Sequence, residues 1–338
     1  MLKVKDIIDF FNTPIEEGRA KSLLDLLYTI PDFLRRNEEN GREEIDISMI
    51  TEYFHICQKM CDDLFLTNVN PTELIIAHKN YIFSLPPEVF SNPDGLRHKL
   101  DYGYYDFKYR GLVYTRDYFA DSVLPIDAKR NNGIFDVGTA FYIGEKRFVT
   151  AAHCVKDCEK FRLLKQNGEP ILLKEIWFAE GIDTSVYDLA IIVVDDDIEI
   201  NAFELAEPSI LDEVLVMGYP PVSGFNAIQT SETATVGAYQ KSSTGQVVGS
   251  DTPYLLPLDF FLINARVKGG SSGGPVINNT GCVIGVVVKL PFDSQSNSNN
   301  PRYDLMGYGM CLPSKYISQL IHNPIIQPLS PEGGYYRF

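Results

Sequence analysis

The most informative part of the sequence is Gly269-Gly270-Ser271-Ser272-Gly273-Gly274-Pro275-Val276. Glycines flank two serines here, and glycine accepts tight turns and close backbone approach better than any other residue. A phosphate-binding loop of the P-loop type is one alternative, but it needs a Lys and a following amphipathic helix, which this stretch lacks. The stretch therefore predicts a tight turn that presents Ser272 next to backbone N–H groups, as an oxyanion hole requires.

The chain around this turn consists of short β-type runs separated by turns from Gly133 onward. The runs are Thr139–Ile143, Arg147–Thr150, Ile171–Phe178, Leu189–Val194, Val214–Tyr219, Phe260–Ala265 and Val283–Val288. Many short strands at this spacing predict barrels or a sandwich.

Two further polar residues stand at the ends of these runs. His153 follows the small residues of Thr150-Ala151-Ala152, and Asp188 directly precedes an apolar strand. A carboxylate placed there is partly buried and needs a partner, and a histidine Nδ1–H can supply one. Taken singly, His153 fits a core histidine, Asp188 a turn residue and Ser272 a glycine-rich loop. Together they occur in the chain order His, Asp, Ser, which is one of the known triad orders.

At this point the chain resembles the trypsin-like peptidase superfamily. The resemblance rests on Thr150–Cys154, Asp188–Ile191 and Gly270–Pro275, and it covers roughly residues 130–323. The stretches Met217-Gly218-Tyr219-Pro220 and Gly307–Ile317 are similar to the HtrA-like branch. The resemblance implies a mostly β protein with two antiparallel six-stranded β-barrels of the chymotrypsin type.

The resemblance also implies a role for each site residue. Ser272 would be the nucleophile, His153 the general base and then general acid, and Asp188 the group that holds the imidazole tautomer. The backbone N–H groups of Gly270 and Ser272 would form the oxyanion hole. The implied activity is that of a serine endopeptidase acting on a protein or peptide substrate, with no metal and no cofactor.

The specificity pocket is expected, by the same resemblance, to involve Arg266, Val288, Leu290 and Gly309. Because Arg266 stands where a trypsin-type pocket would hold an acid, cleavage after Lys or Arg is expected to be disfavoured. Small or medium apolar side chains are the first expectation. Arg266 has two alternative roles, in selecting an acidic side chain or in a structural ion pair.

Three departures from the family pattern limit what it implies. The strand Gly138–Ile143 has no cysteine to pair with Cys154, which predicts a free thiol. We expect no PDZ domain after the peptidase part. Ser271 replaces an aspartate that in zymogen-type relatives pairs with a new N-terminus, so cleavage of a propeptide is not expected to be the switch.

The remainder of the chain predicts two further segments. Residues 1–84 are expected to form an α-helical N-terminal domain that binds a regulatory partner or gates the peptidase, with helices from Thr13 to Pro31, over Ile50–Leu64 and over Leu74–Ile82. Residues 85–132 are a Tyr-rich connecting segment expected to pack across residues 133–338, the peptidase domain. A structural lid and a solvated hinge are the respective alternatives.

Composition excludes several other functions. The formal net charge of −15 argues against broad contact with nucleic acid or anionic lipid. No apolar run is long enough for a signal peptide or a membrane span, so we expect a cytoplasmic protein. The cysteines are sparse, and Cys57 and Cys61 lack the second ligand pair that a zinc site needs. A catalytically silent, protease-like binding module and an esterase remain the competing hypotheses.

Overall fold

A computed structural model describes residues 2–13, 27–37, 46–84, 86–156, 158–179, 187–221, 230–231, 234–235, 239–252, 258–289 and 307–338. The chain divides into two compact units, Met1–Gly111 and Leu112–Phe338.

The first unit combines helices with a small sheet. Its helices are α1 (Val4–Phe11), α2 (Ile30–Asn37), α3 (Ile47–Asp62), α4 (Glu88–Ser91), α5 (Pro93–Tyr102) and α6 (Tyr104–Arg110). Its strands are β1 (Tyr28–Thr29), β2 (Leu66–Asn68) and β3 (Asn80–Phe83), in the antiparallel order β1-β3-β2.

Aromatic residues dominate the core of the first unit. Phe10 and Phe11 of α1 contact Phe33 of α2, and Phe33 contacts Tyr53 of α3. Tyr105 and Tyr109 of α6 belong to the same buried cluster. Rigid rings of this size bury much apolar surface, so they hold a small unit together.

The predicted helices of residues 1–84 are confirmed only in part. The helix over Ile50–Leu64 is present as α3, capped by Asp46, whose side chain accepts from the N–H of Ser48. The helix expected to end at Pro31 is wrong there, because Pro31 lies in the first turn of α2, where its missing N–H costs nothing. Residues 14–26 of that prediction lie outside the described residues.

The predicted helix over Leu74–Ile82 is also wrong. A single 3₁₀ turn, Ile76–His78, leads into strand β3, which pairs on both sides. The sequence Asn80-Tyr81-Ile82-Phe83 is rich in aromatic and β-branched residues, which favour a strand once neighbouring strands are available.

Residues 86–118 of the Tyr-rich segment are largely helical, and the boundary between the two units falls at Gly111. Tyr105 and Tyr109 belong to the buried core of the first unit, because α6 places both on its buried face.

The second unit contains helices α7 (Leu112–Tyr118) and α8 (Lys315–His322) and most of the strands. They are β4 (Val123–Arg130), β5 (Phe135–Tyr142), β6 (Arg147–Thr150), β7 (Cys158–Leu163), β8 (Leu173–Ala179), β9 (Ala190–Val194), β10 (Glu213–Gly218), β11 (Thr230–Ser231), β12 (Ala234–Thr235), β13 (Lys241–Asp251), β14 (Phe260–Ile263), β15 (Pro275–Asn278), β16 (Val283–Lys289), β17 (Gly309–Pro313), β18 (Pro324–Pro328), β19 (Ser330–Glu332) and β20 (Tyr335–Arg337). All seven predicted strand runs contain observed strands, so the mostly β class of this part is confirmed.

One of the two expected barrels is observed as a closed barrel. Strands β10, β13, β14, β17, β16 and β15 form six antiparallel pairs around it. Its core consists mainly of aliphatic side chains and also contains the aromatic ring of Phe261. Strands β11 and β12 pair only with each other.

The strands expected to form the other barrel lie in a nine-stranded sheet, in the order β18-β8-β9-β6-β5-β4-β7-β20-β19. The C-terminal strands β18 and β20 pair with β8 and β7, the edges that barrel closure would have joined. Among the described residues no helix is long and apolar enough to cross a lipid bilayer.

Candidate active site

His153 and Asp188 are brought together by the pairing of β6 with β9. Thr150 at the end of β6 lies opposite Ala190 at the start of β9, so the residues just beyond these ends lie at one edge of the sheet. His153 occupies a 3₁₀ turn, Ala152–Cys154. Its Nδ1 lies 2.6 Å from Asp188 Oδ2, and its backbone N–H donates to Asp188 Oδ1 at 2.9 Å. The carboxylate thus fixes both the ring and the backbone of His153.

Burial and charge act in opposite directions on His153. Burial, the largest single effect, disfavours the imidazolium, but the hydrogen bond that His153 makes to Asp188 and the contact with Cys154 together hold the pKa of His153 above its usual value of 6.5. Asp188 is itself 2 % exposed, so solvent screens this interaction little. The imidazole is therefore a stronger base than a free histidine, with Nε2 as the nitrogen not bound to Asp188.

The Ser272 turn has the backbone geometry that its glycines allow. The N–H of Ser271 donates to the carbonyl of Lys268 at 2.9 Å, and Gly270 between them has a φ of +89°. A bond of this span with positive φ at the third residue is the pattern of a type II turn, which requires Gly there. Among the described residues, the N–H groups of Gly270 and Ser272 donate no hydrogen bond, so both stay available to a ligand.

The space around the turn also excludes larger residues. A Cβ at Gly270 would lie 2.6 Å from the carbonyl oxygen of Tyr219, and a Cβ at Gly273 would lie 2.2 Å from that of Thr139. Gly273 also has a φ of +80°. Both glycines are thus fixed by close packing as well as by backbone conformation.

Thr139 of β5 braces this turn, and sequence reasoning missed it. Its hydroxyl donates to the carbonyl of Gly270 at 2.7 Å and accepts from the N–H of Tyr219 at 3.1 Å. Its own N–H donates to the carbonyl of Ser272 at 2.9 Å. Thr139 is fully buried, so these bonds are protected from water. The only local signal for it is a hydroxyl that opens an apolar strand.

Cys154 lies between the two halves of the site. Its Sγ is 3.8 Å from His153 Nε2 and donates to the carbonyl of Ser272 at 3.5 Å. Within the described contacts, no hydrogen bond joins Ser272 Oγ to His153. Such bonds are often long before substrate binds. Cys154 is a free thiol, and a Cβ at Gly138 would lie 2.7 Å from its sulfur, which leaves no room for a partner cysteine without movement.

Three of the four expected pocket residues, Arg266, Val288 and Gly309, lie in the described part of the chain. Arg266 is exposed and borders a cavity with Ser271. Val288 is buried in β16, and Gly309 opens β17, where a Cβ would lie 2.8 Å from Val267. Leu290 lies outside the described residues.

Part of this chain matches a known protein family. The model of the trypsin-like peptidase domain matches residues 138–286, which include His153, Asp188 and Ser272. This part of the chain is thus similar to a trypsin-like peptidase domain. The match begins at Gly138 in β5 and ends within β16, so it includes the nucleophile turn.

Several curated proteins are similar to part of this chain. A probable periplasmic serine endoprotease, DegP-like, of Rhizobium meliloti is 31% identical over 44% of this chain and 27% of its own length. An uncharacterized protein, y4bJ, of Sinorhizobium fredii is 31% identical over 50% of this chain and 24% of its own length. The chain thus spans about a quarter of the length of these two relatives.

Two solved structures resemble part of the chain. The Rv3671c protease of M. tuberculosis in its active form superposes with a TM-score of 0.48 at 23% identity, covering 65% of this chain and 87% of that one. The HtrA-type protease AlgW with a tripeptide has a TM-score of 0.47 at 18% identity, covering 62% of each chain.

Proposed function

We propose that this protein is a serine endopeptidase that cleaves a protein substrate through an acyl-enzyme intermediate on Ser272. The observation that carries the proposal is the double hydrogen bond from His153 to the buried carboxylate of Asp188. A carboxylate so placed favours the tautomer with the proton on Nδ1, which leaves Nε2 free to accept another.

In the proposed reaction, Ser272 Oγ attacks the carbonyl carbon of the scissile bond as its proton passes to His153 Nε2. The negative charge that develops on the carbonyl oxygen is stabilised by the N–H groups of Gly270 and Ser272, whose hydrogen-bonding capacity is unused. His153 then gives its proton to the leaving amine, and a water molecule repeats the sequence to release the acyl group.

Regulation by the first unit or by a partner is part of the proposal. The first unit carries strongly exposed apolar side chains, among them Ile47, Leu74 and Phe90. Scattered exposed apolar residues are common on proteins, but side chains this exposed on one small unit favour a surface that another protein covers. A cytoplasmic location also remains a proposal and rests on the sequence alone.

The test is covalent labelling of the full chain by a fluorophosphonate. We expect label on Ser272, located by peptide mapping, and none on Ser272→Ala. Ser250→Ala, which removes an exposed hydroxyl of β13, serves as the matched control and should label normally. A folded protein that never labels would favour the binding-module hypothesis, and hydrolysis of small esters without peptide cleavage would favour the esterase.

A further inference from the structure

A basic cavity lies directly behind the nucleophile turn, in addition to the peptidase site. It has a volume of about 340 Å³ and is lined by Lys241, Arg266 and Lys268 together with Ser243, Ser271 and Val216. Neither His153 nor Ser272 lines it, although Ser271, the residue before the nucleophile, does. The cavity thus borders the turn that carries Ser272, but His153 and Ser272 themselves do not line it.

The charges in this cavity are all of one sign. No Asp or Glu is among its described lining residues, and no ion pair to Lys241, Arg266 or Lys268 is found in the described part of the chain. Lys241 Nζ donates to the carbonyl of Tyr239 at 2.9 Å, a contact that supplies no negative charge. The chain as a whole has a net charge of −15, so three positively charged side chains around one small cavity differ from its overall composition.

The three cations lie on two different segments, one that leads into the Ser272 turn and one in the wall of the barrel. Arg266 and Lys268 precede it in the chain, and the carbonyl of Lys268 accepts the bond that closes the turn. Lys241 begins β13 of the barrel, opposite Gly218 of β10. Ser243 of β13 already donates to the carbonyl of Arg266 at 2.7 Å. A ligand that bridges Lys241 to Arg266 and Lys268 would therefore fasten residues 266–271 to the barrel wall.

We propose that this cavity binds an anion with carboxylate or phosphate oxygens, and that its binding stabilises the turn in which the N–H of Gly270 is available. Guanidinium and ammonium groups with nearby hydroxyls are the donors that such oxygens take. The effect on catalysis rests on the proposed peptidase function, whereas the binding itself does not.

The first measurement is calorimetric titration of the full chain with inorganic phosphate and with a short acidic peptide, at constant ionic strength set by chloride. We expect saturable binding that weakens about 10-fold or more in the Arg266→Gln/Lys268→Gln double variant, because two charge-assisted bonds are lost. Lys174→Gln, which removes an exposed cation of β8, should bind as the unchanged protein does. Tighter binding of the peptide than of phosphate would assign the anion to a protein.

The second measurement is the rate of fluorophosphonate labelling with and without the anion. Saturating anion should raise the rate about 5-fold or more in the unchanged protein and in Lys174→Gln, and leave the double variant unaffected. Absence of saturable binding, or equal binding by the double variant, would overturn the site. Binding with an unchanged labelling rate would overturn its coupling to the turn. If no protein labels under any condition, the peptidase proposal fails while the titration still decides whether the cavity binds anions.

Discussion

His153 shows how a single buried carboxylate changes the chemistry of its neighbour. Asp188 accepts hydrogen bonds from both the ring and the backbone N–H of His153. Burial acts to lower the pKa of His153, but its hydrogen bond to Asp188 and its contact with Cys154 together keep it raised. A general base must be neutral to accept a proton, so a raised pKa moves the onset of activity to higher pH. The strength of the base and the pH at which it is available are thus set by the same contact.

This contact gives a prediction at the level of one residue. In the unchanged protein, kcat/KM should rise with pH through a midpoint above 6.5, the ordinary value for histidine. In Asp188→Asn the midpoint should fall, because the largest effect that opposes burial is removed, and kcat should drop by about 10⁴-fold as the tautomer is lost. An NMR titration of the ring, with His153→Gln to assign its signal, measures the pKa directly. An equal pKa in both proteins would contradict the role of Asp188.

Single residues also mark how far sequence reasoning reaches. His153, Asp188 and Ser272 are recognisable because each lies in a short local pattern and their order along the chain is specific. Thr139 is not, because its role depends on hydrogen bonds to residues 80 or more positions away, Tyr219 and Gly270. A threonine in an apolar strand has no local feature that predicts such partners.

The turn that carries Ser272 offers a test at the level of one element, through two adjacent glycines. A Cβ at Gly269 meets no atom within 4 Å, and its φ is not in the left-handed region. Gly270 has a φ of +89° and no free space. Gly270→Ala should therefore abolish fluorophosphonate labelling, since an L-residue in that conformation costs about 1–2 kcal/mol before any steric clash.

Gly269→Ala is the matched control and should label at close to the normal rate. Circular dichroism and thermal unfolding of both variants separate a local change of the turn from loss of the fold. Equal labelling of the two alanine variants would show that the type II turn is not required for reactivity.

At the same level, the sequence predicts the strands of the second unit better than it predicts the helices of the first. Each of the seven strand runs lies between clear turn signals, and each contains an observed strand. Residues 74–83 contain apolar residues compatible with a helix, yet they form a 3₁₀ turn and a central strand because Tyr28 and Leu66 provide partners on either side. Pairing with distant strands overrides local propensity there.

For the whole molecule, the unexpected feature is the nine-stranded sheet. Strands β7 and β8 would be exposed edges without β20 and β18, and exposed edges promote association with other chains. The ring of Phe338 packs 5.8 Å from that of Phe161 in β7 and 5.9 Å from that of Phe178 in β8. One side chain, that of Phe338, therefore packs against both β7 and β8. No local pattern in residues 324–338 indicates this.

A buried polar cluster anchors the same strands. Asp127 of β4 accepts from Arg162 Nε at 2.9 Å and from the hydroxyl of Tyr335 at 3.0 Å, and the Arg162 guanidinium lies 4.3 Å from the centre of the Tyr335 ring. Burial raises the pKa of Asp127 although Arg162 opposes this effect. A buried carboxylate in such surroundings depends on each of its donors.

Removal of residues 324–338 should therefore destabilise the second unit and cause self-association. Loss of one large buried side chain alone costs about 3–5 kcal/mol, and the deletion removes the buried Tyr335 and Tyr336 and one donor to Asp127. Tyr335→Phe, which removes only the hydroxyl, should lower the midpoint of thermal unfolding by less. Ile326→Ala, at a side chain 51 % exposed, should change it little. Light scattering and thermal unfolding at several protein concentrations measure both effects. A truncated protein that neither self-associates nor changes its unfolding midpoint would contradict this prediction. It would mean that β18 and β20 do not stabilise the sheet and that the edges of β7 and β8 are protected in another way.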